Sequence, residues 1–429
     1  MTTRITSENI TDATIGTGDL ASSVPLNTQW QAVVTASTLN AAAGKGYFID
    51  TSSNACTVTI TASGSATAGD TIVLKDYARN WDTNAVTLAS NRFDGVDSQT
   101  PSFSTKGQTV TLVHMGATKG WSLINEDTTT GLGATYISAT GGTVTTSGDY
   151  KIHSFTGDGN FVVASVGNSD GGGALTSYLV VAGGGGSGSD GGGGGGAGGF
   201  REGKATGESY TVSPLNAPAG ITLSAQTYPI TVGAGGATAA TPGEPTAQNG
   251  SNSIFSTITS AGGGRGAHNP STYTNGANGG SGGGGRSNIS GNGGTGNTPP
   301  VSPAQGTNGG GTNGTNPPPC NVGAGGGGAT AAGQSGGGPE TGDGGVGATT
   351  HITGSPVAYA GGGGGGGNGS PGAPSGGAGG GGNGGSPPGT SGSAGSANTG
   401  GGAGGGSNGT ATGAAGGKGI VILRYKYQN

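Results

Sequence analysis

The chain has 429 residues, of which 107 are Gly, while only 8% are charged and 5% are aromatic. So few large apolar side chains exclude an ordinary globular enzyme built around one large hydrophobic core. With 15 Lys and Arg against 20 Asp and Glu, the formal net charge is −5, which gives no electrostatic reason to expect a nucleic acid or an anionic membrane as a partner.

The first 28 residues carry recurring Ile and Thr, together with Gly16 and Gly18, but too few large side chains to form a core. We expect this segment, 1–28, to be extended and to be ordered only by a partner chain or a second protein. It lacks the basic start and the apolar stretch of a signal peptide, and the chain contains no run of 18 apolar residues. Neither Sec export nor membrane insertion is therefore predicted.

Residues 29–127 show the alternation of apolar and polar residues that is typical of half-buried β-strands. The predicted strands, separated by Gly, Asn, Asp and Ser clusters, are 46–51, 56–61, 71–75, 85–89, 109–114 and 121–125. Their spacing predicts a small β-sandwich or barrel, in which only 39–43 has any helical character. A parallel β-helix is not expected, because the chain lacks the length and the regular strand ladder of that fold.

All three tryptophans, Trp30, Trp81 and Trp121, lie in this predicted β domain. We interpret them mainly as core residues. A platform that stacks against sugar rings is the alternative, since aromatic faces suit pyranose rings as well as core packing.

Residues 128–182 form a second predicted β segment, which leads into the glycine-rich part of the chain at Tyr178–Ala182 (YLVVA). The last segment, 418–429, contains the run GIVILRYKY. Its content of Ile, Val and Leu predicts a buried strand, and we expect that strand to pair with Tyr178–Ala182. Such pairing would join the two ends of the glycine-rich region, 183–417.

From residue 171 onwards the chain has 89 Gly in 259 residues, so it has few large side chains to offset the backbone entropy lost on folding. This composition predicts either disorder or an array held by backbone hydrogen bonds. Counting every third residue from 389 to 419, Gly occupies 389, 392, 395, 401, 404, 413, 416 and 419. A triplet phase is typical of an extended helix with three residues per turn. We therefore expect a bundle of short polyglycine II-like helices within one chain.

The order of the motifs DYKIHSFTGDGNF, YLVVAGGGGSG, YPITVGAGG, SIFSTITSAGGGRG, YAGGGGGGG and GGKGIVILRY resembles the distal module of bacteriophage tail fibres and adhesins. The resemblance implies a virion surface fibre, usually a homotrimer, that ends in a polyglycine II sandwich whose far loops contact a host glycan or outer-membrane protein. The start ITSENITDATIGTGDLA is similar to fibre shafts and virion-attachment segments. This similarity makes Ile5, Ile10, Ile15 and Leu20 candidates for contact with other tail proteins.

Receptor-binding candidates are the polar or aromatic residues that interrupt the glycine where loops should emerge: Arg201, Arg265, His268, Tyr273 and Tyr359. Tyr and Arg are favoured in recognition surfaces because they offer contact area and directional hydrogen bonds. Arg265 and His268 are preferred, because a charge inside a glycine lattice is costly and should face water. Tyr273 fits receptor contact and packing equally well, whereas packing is favoured for Tyr359.

No catalytic or cofactor site is predicted. The string Gly333–Gly337 (GQSGG) matches a nucleophile elbow by chance composition, without the strand and helix that the elbow needs. The four histidines stand apart from other potential metal ligands. Carboxylates are too sparse after residue 171 for a glycosidase pair, and those in the first domain, such as Asp76, suit turns and caps. Cys56 and Cys320 are interpreted as unpaired thiols.

Three classes of function remain open at this point. The first is a virion fibre that recognises the host. The second is a structural virion fibre or decoration without a receptor role, and the third is a subunit of an extracellular structural filament unrelated to phage.

Overall fold

The computed structural model describes residues 28–124, 135–168, 171–238, 247–268, 274–287, 290–312, 322–337, 340–367 and 372–428. Within these residues all regular structure is β, as predicted, and no helix occurs. The chain divides into two compact units, Met1–Ala134 and Thr135–Asn429. Residues 1–27 of the predicted attachment segment lie outside the described residues.

The first unit contains two sheets. Its strands are β1 (Gln29–Trp30), β2 (Thr38–Ala41), β3 (Lys45–Ile49), β4 (Cys56–Ile60), β5 (Thr71–Asp76), β6 (Val86–Leu88), β7 (Asn91–Phe93), β8 (Val96–Gln99), β9 (Ser102–Phe103), β10 (Thr109–His114) and β11 (Trp121–Leu123). One sheet has the order β1-β3-β5-β10-β11-β7-β8, and the other has the order β2-β4-β6-β9.

Strands β1 to β6 alternate between these two sheets, and within each sheet they pair in parallel. The first part of the unit therefore coils like a short β-solenoid, and antiparallel strands complete it. One expectation was wrong here, because residues 38–41 form strand β2 rather than a helical turn. The parallel ladder has only three strands in each sheet, β1-β3-β5 and β2-β4-β6, so it is not the long regular ladder of a parallel β-helix. The segment is too short to show a repeat in the sequence, which is why the ladder could not be read from it.

The core of the first unit contains Trp81 and Trp121, both fully buried, which confirms the core interpretation for these two. Trp30 differs, because it is 45% exposed and stacks on Phe48 with 4.4 Å between ring centroids. Asp76 is buried and its carboxylate accepts hydrogen bonds from the backbone N–H groups of Asn80, Trp81 and Gly107, which confirms a turn-capping role.

The second unit carries the remaining strands. They are β12 (Ser138–Thr140), β13 (Thr143–Ser147), β14 (Tyr150–Phe155), β15 (Gly159–Ser165), β16 (Leu175–Val181), β17 (Phe200–Gly203), β18 (Asn216–Ala217), β19 (Ile221–Thr222), β20 (Thr227–Thr231), β21 (Ser253–Phe255), β22 (Ile258–Ser260), β23 (Gly336–Gly337), β24 (Glu340–Thr341), β25 (Ala348–Thr350), β26 (Val357–Tyr359) and β27 (Ile420–Lys426). The main sheets have the orders β12-β15-β20-β21-β22 and β13-β14-β27-β16-β17-β18, and β19 pairs with β16.

The closing strand β27 pairs antiparallel with β16, with Val181 opposite Ile420 and Tyr178 opposite Leu423. On its other side β27 pairs with β14. The predicted join between the two ends of the glycine-rich region is thus confirmed. Buried side chains on both faces of this sheet form the two apolar cores of the unit.

The glycine-rich part forms extended segments outside the strands, and their hydrogen bonds repeat every three residues. In the central segment, 192–199, the N–H groups of residues 193, 196 and 199 donate to the carbonyls of residues 267, 264 and 261. Residues 194 and 197 donate to residues 324 and 327, and residues 195 and 198 donate to residues 403 and 400. Each third residue therefore faces the same neighbour, as an extended helix with three residues per turn requires.

The central segment has six hydrogen-bonded neighbours among the described residues. It donates to three of them, and its carbonyls accept from the other three. These six inner segments are 182–188, 261–268, 279–287, 322–329, 360–367 and 400–407. Each inner segment is also bonded to the next, so together they close a ring around the central segment. We call the whole array the glycine lattice.

Around the inner ring lie outer segments: 233–238, 247–252, 274–278, 290–296, 305–311, 331–337, 342–347, 374–378, 381–386, 391–397 and 411–419. The triplet phase seen in the sequence is explained in one of them. In segment 391–397, residues 392 and 395 are half-buried against the lattice, whereas the other residues are exposed. Inner segment 400–407 is buried at every residue.

Backbones in this lattice approach too closely for side chains. A Cβ atom placed on Gly193, Gly194 or Gly195 would lie 2.0 to 2.1 Å from a carbonyl oxygen of a neighbouring segment. Glycine is required there by this approach, and the main-chain hydrogen bonds replace the side-chain core that the composition cannot supply.

Candidate functional site

The glycine lattice has two chemically different ends. At residue 199 the central segment adjoins residues 182, 261 and 400, next to the apolar core that contains Phe200 and Ile420. We call this the sheet end. At residues 192–193 it adjoins residues 188, 267 and 366. We call this opposite end the far end. Two described connections lie there: residues 189–191, which join 188 to 192, and residues 408–410.

An ion pair ties the turns of the far end together. The Arg286 guanidinium lies 3.3 Å from the Asp190 carboxylate, and Asp190 also accepts a hydrogen bond from the N–H of Gly409 at 2.9 Å. Asp190 has a positive φ of 52°, so the turn holds it in a conformation that non-glycine residues seldom adopt. These contacts fix three segment ends relative to one another.

A buried hydroxyl reinforces this end of the lattice. Ser187 donates to the carbonyl of Gly404 and accepts from the N–H of Ala414 at 2.7 Å, so it links three segments. Ser281 donates similarly to Gly328 at 3.0 Å from another inner segment. Among the described residues, the Gly404 carbonyl and the Ala414 N–H have no backbone partner, so Ser187 replaces one, whereas the Gly328 carbonyl also accepts from the N–H of Thr307 at 3.1 Å.

Two receptor-binding candidates, Arg265 and His268, lie three residues apart in inner segment 261–268. His268 is buried, contrary to the expectation that it faces water, while Arg265 is half-buried. Burial, together with the nearby charges of Arg265 and Arg286, lowers the pKa of His268 to about 4. The imidazole is therefore neutral at neutral pH, and it acts as part of the packing at the far end.

The other described receptor-binding candidates do not lie near Arg265 and His268. Arg201 lies in β17 at the sheet end, half-buried, with its guanidinium 3.5 Å from the carbonyl oxygen of Thr259. Tyr359, in β26, is 5% exposed and belongs to the apolar core at that end, in agreement with its interpretation as a packing residue. Tyr273 and the attachment candidates Ile5, Ile10, Ile15 and Leu20 lie outside the described residues, as does Cys320.

A buried charge pair at the sheet end was not anticipated from the sequence. Arg424 on β27 donates to the Glu208 carboxylate at 2.7 Å and to the carbonyl of Ile352 at 3.1 Å, and both side chains are 5% exposed. The Arg424 guanidinium also lies over the Tyr150 ring, 4.3 Å from its centroid. Burial raises the pKa of Glu208, although hydrogen bonds from Ser177 and Arg424 oppose that shift.

A shallow polar cavity of about 220 Å³ opens beside this pair. Its lining residues include Ser147, Tyr210, His351 and Arg424. The cavity is smaller than the roughly 300 to 1,000 Å³ of sites for drug-sized ligands, and the pair beside it serves mainly to join β27 to the loop around 208.

The fold and these contacts agree with the comparison to known families. The sequence model of a family described as a glycine-rich domain matches residues 174–426. The chain belongs to this glycine-rich domain family. The match begins at β16 and ends at β27, so the family's domain corresponds to the glycine lattice together with the two strands that join its ends.

No curated protein matches the chain. In the part of the chain that the structure describes, no helix has the length and apolar character needed to cross a membrane. The same residues contain no group of three or more His, Cys, Asp or Glu side chains placed to hold a metal ion.

Proposed function

We propose that this chain is a bacteriophage tail fibre or adhesin, which attaches to the virion through its N-terminus and recognises the host cell surface through the far end of the glycine lattice. The observation that carries the proposal is the lattice itself. It is a body held by backbone hydrogen bonds, and its far end, with the described connections 189–191 and 408–410, lies opposite the end that holds the sheets. Binding residues commonly lie on loops that a rigid scaffold positions.

The three-residue hydrogen-bond repeat and the six neighbours of the central segment support the finer interpretation of the lattice as polyglycine II-type packing. A body built in this way needs no large apolar core, so the residues at its far end are free to vary. The expected partners are two further copies of the chain in a homotrimer, other tail proteins, and a host glycan or outer-membrane protein. The location proposed is therefore the virion.

Competition for adsorption tests the receptor role. Purified full chain at saturating amounts is expected to block adsorption of the virions that carry it. Failure to block adsorption would favour a structural virion fibre without a receptor role. Open-ended filaments in negative stain would favour the extracellular filament instead, and the mass in solution tests the homotrimer.

A matched pair of variants locates the binding end. Thr410 is exposed at the far end, and Thr145 is exposed on β13, in the sheet region. Each is changed to Cys in a Cys320→Ser background and coupled to a polyethylene glycol chain. We expect the modification at position 410 to abolish competition and the modification at 145 to leave it intact; the reverse pattern would place recognition elsewhere.

A further inference from the structure

Counted over the described residues, one inner segment of the glycine lattice has one neighbour fewer than each of the others. Where the structure describes the chain, hydrogen bonds join 261–268 to five surrounding segments and join each of the other inner segments to six: 182–188, 279–287, 322–329, 360–367 and 400–407. The neighbours of 261–268 are 182–188, 192–199, 247–252, 274–278 and 279–287. Among the residues that the structure describes, the position outside segment 261–268, between outer segments 247–252 and 274–278, is therefore unoccupied, and we call it the vacancy.

The backbone donors that face this vacancy are met by side chains. The N–H of Gly262 donates to Asn252 Oδ1 at 2.9 Å, and the N–H of Arg265 donates to Asn249 Oδ1 at 2.9 Å. The two donors are three residues apart, and so are the two asparagines. Each carboxamide oxygen therefore occupies the place that the backbone carbonyl of a further segment would take.

The same arrangement recurs at the adjoining edge. Asn275 and Asn278, again three residues apart, accept hydrogen bonds from the N–H groups of Asn292 and Thr295 at 2.8 and 2.7 Å. Asn249 also reaches across the vacancy, where its Nδ2 lies 3.5 Å from the carbonyl oxygen of Asn278. All four of these asparagines are exposed, so they lie at the surface of the lattice rather than inside it.

A row of unpaired N–H groups at a lattice surface has the same consequence as an exposed edge strand, because it is a template on which another chain can add. In this lattice the template would repeat every three residues and would fit an extended glycine-rich segment. Such segments are abundant in every other copy of this chain.

We infer that Asn249, Asn252, Asn275 and Asn278 close the vacant edge of the glycine lattice against a glycine-rich segment of a second copy of this chain. The asparagines supply the missing carbonyls themselves, so the lattice is complete at that edge without a further neighbour. The inference does not depend on any receptor role for the far end.

The test compares double variants of the full chain by sedimentation velocity over a range of concentrations. In Asn249→Ala with Asn252→Ala, the donors of Gly262 and Arg265 lose their acceptors. We expect species larger than the wild-type assembly, with a weight-average mass that rises at least about twofold with concentration, because an edge template associates by mass action.

Two controls distinguish the loss of the acceptor oxygens at positions 249 and 252 from the general effect of removing asparagine side chains. Asn160 and Asn292 are exposed in the same unit and cap no backbone group among the described residues, so Asn160→Ala with Asn292→Ala should keep the wild-type mass. Asn249→Asp with Asn252→Asp retains an acceptor oxygen at both positions and should also keep it.

The inference is overturned if the alanine pair at 249 and 252 keeps the wild-type mass at every concentration while folded. It is equally overturned if that pair merely unfolds at low concentration, because the asparagines would then stabilise the fold of one chain instead of preventing a second copy from adding to the edge. Faster amide exchange at Gly262 and Arg265 in the dilute, folded variant would confirm that the caps have been removed.

Discussion

Adding a single methyl group at the centre of the glycine lattice should destabilise the second unit strongly. In Gly195→Ala, the new Cβ would lie 2.1 Å from the carbonyl oxygen of Gly185. A carbon atom and a carbonyl oxygen do not approach so closely, so segments 182–188 and 192–199 must move apart by roughly 1 Å. Gly185 donates to the carbonyl of Gly196 at 2.8 Å and accepts from Ala403 at 3.1 Å, so parting the segments disrupts both hydrogen bonds.

The expected cost follows from those two bonds. The two N–H donors, those of Gly185 and Ala403, lose their acceptors, and each buried donor left without a partner costs about 1–3 kcal/mol. The variant should therefore lose at least about 2–6 kcal/mol of unfolding free energy. That loss is a large share of the total stability of a typical domain. Urea unfolding followed by circular dichroism measures it, and amide exchange at residues 193–198 shows whether the loss is local to the centre.

The matched control is Gly311→Ala in an outer segment of the same lattice. There the nearest atom to the new Cβ, the carbonyl oxygen of Gly291, is 3.4 Å away, which is an ordinary contact. We expect less than about 0.5 kcal/mol of change, as is usual for surface substitutions. If Gly195→Ala matched this control, close packing of backbones would not be what holds the lattice together.

Three further predictions concern ionisable groups. Because the pKa of His268 is about 4 in the folded state and near 6.5 when unfolded, stability should fall by up to about 3 kcal/mol as the pH drops from 6.5 through 4. His268→Gln should lose that pH dependence, as measured by urea unfolding at each pH. Arg424→Met should leave Glu208 as a buried carboxylate without its ion partner, at a cost of about 3–5 kcal/mol near pH 7. Because that change raises the pKa of Glu208 further, the deficit should shrink as the pH falls to the ordinary titration range of Glu, and a deficit independent of pH would contradict this. Burial also raises the pKa of the Cys56 thiol, so Cys56 should resist alkylation in the native protein and react at the rate of unfolding of the first unit, as followed by mass spectrometry.

The sequence carries the local signals of this fold more clearly than its long-range order. The apolar run at 420–426 could only be a buried strand, and Tyr178–Ala182 was its natural partner at the other end of the glycine. The recurrence of glycine at every third residue was visible in outer segment 391–397 because one side of that segment is exposed. At 400–407 every residue is buried, so nearly every position is glycine and no phase survives.

What could not be predicted depends on contacts between distant residues. Which segments surround 192–199 is decided by pairings such as Gly194 with Ala324, and glycine offers no side-chain pattern to encode them. His268 was expected to face water because its charge was considered without its pKa, which burial lowers so far that the ring is neutral. The spacing of Asn249 and Asn252 was a readable signal, since a polar residue at every third position suits the edge of such an array.

The antiparallel pairing of β16 with β27 means that the chain enters and leaves the glycine lattice at adjacent points, with Ser177 opposite Arg424. The chain between these two strands therefore begins and ends at the same place on the sheet. Such a body can be transplanted as a cassette onto an unrelated carrier, because its two connections demand only a pair of neighbouring strands. Recombination within a gene could exchange the whole lattice without disturbing the protein that bears it.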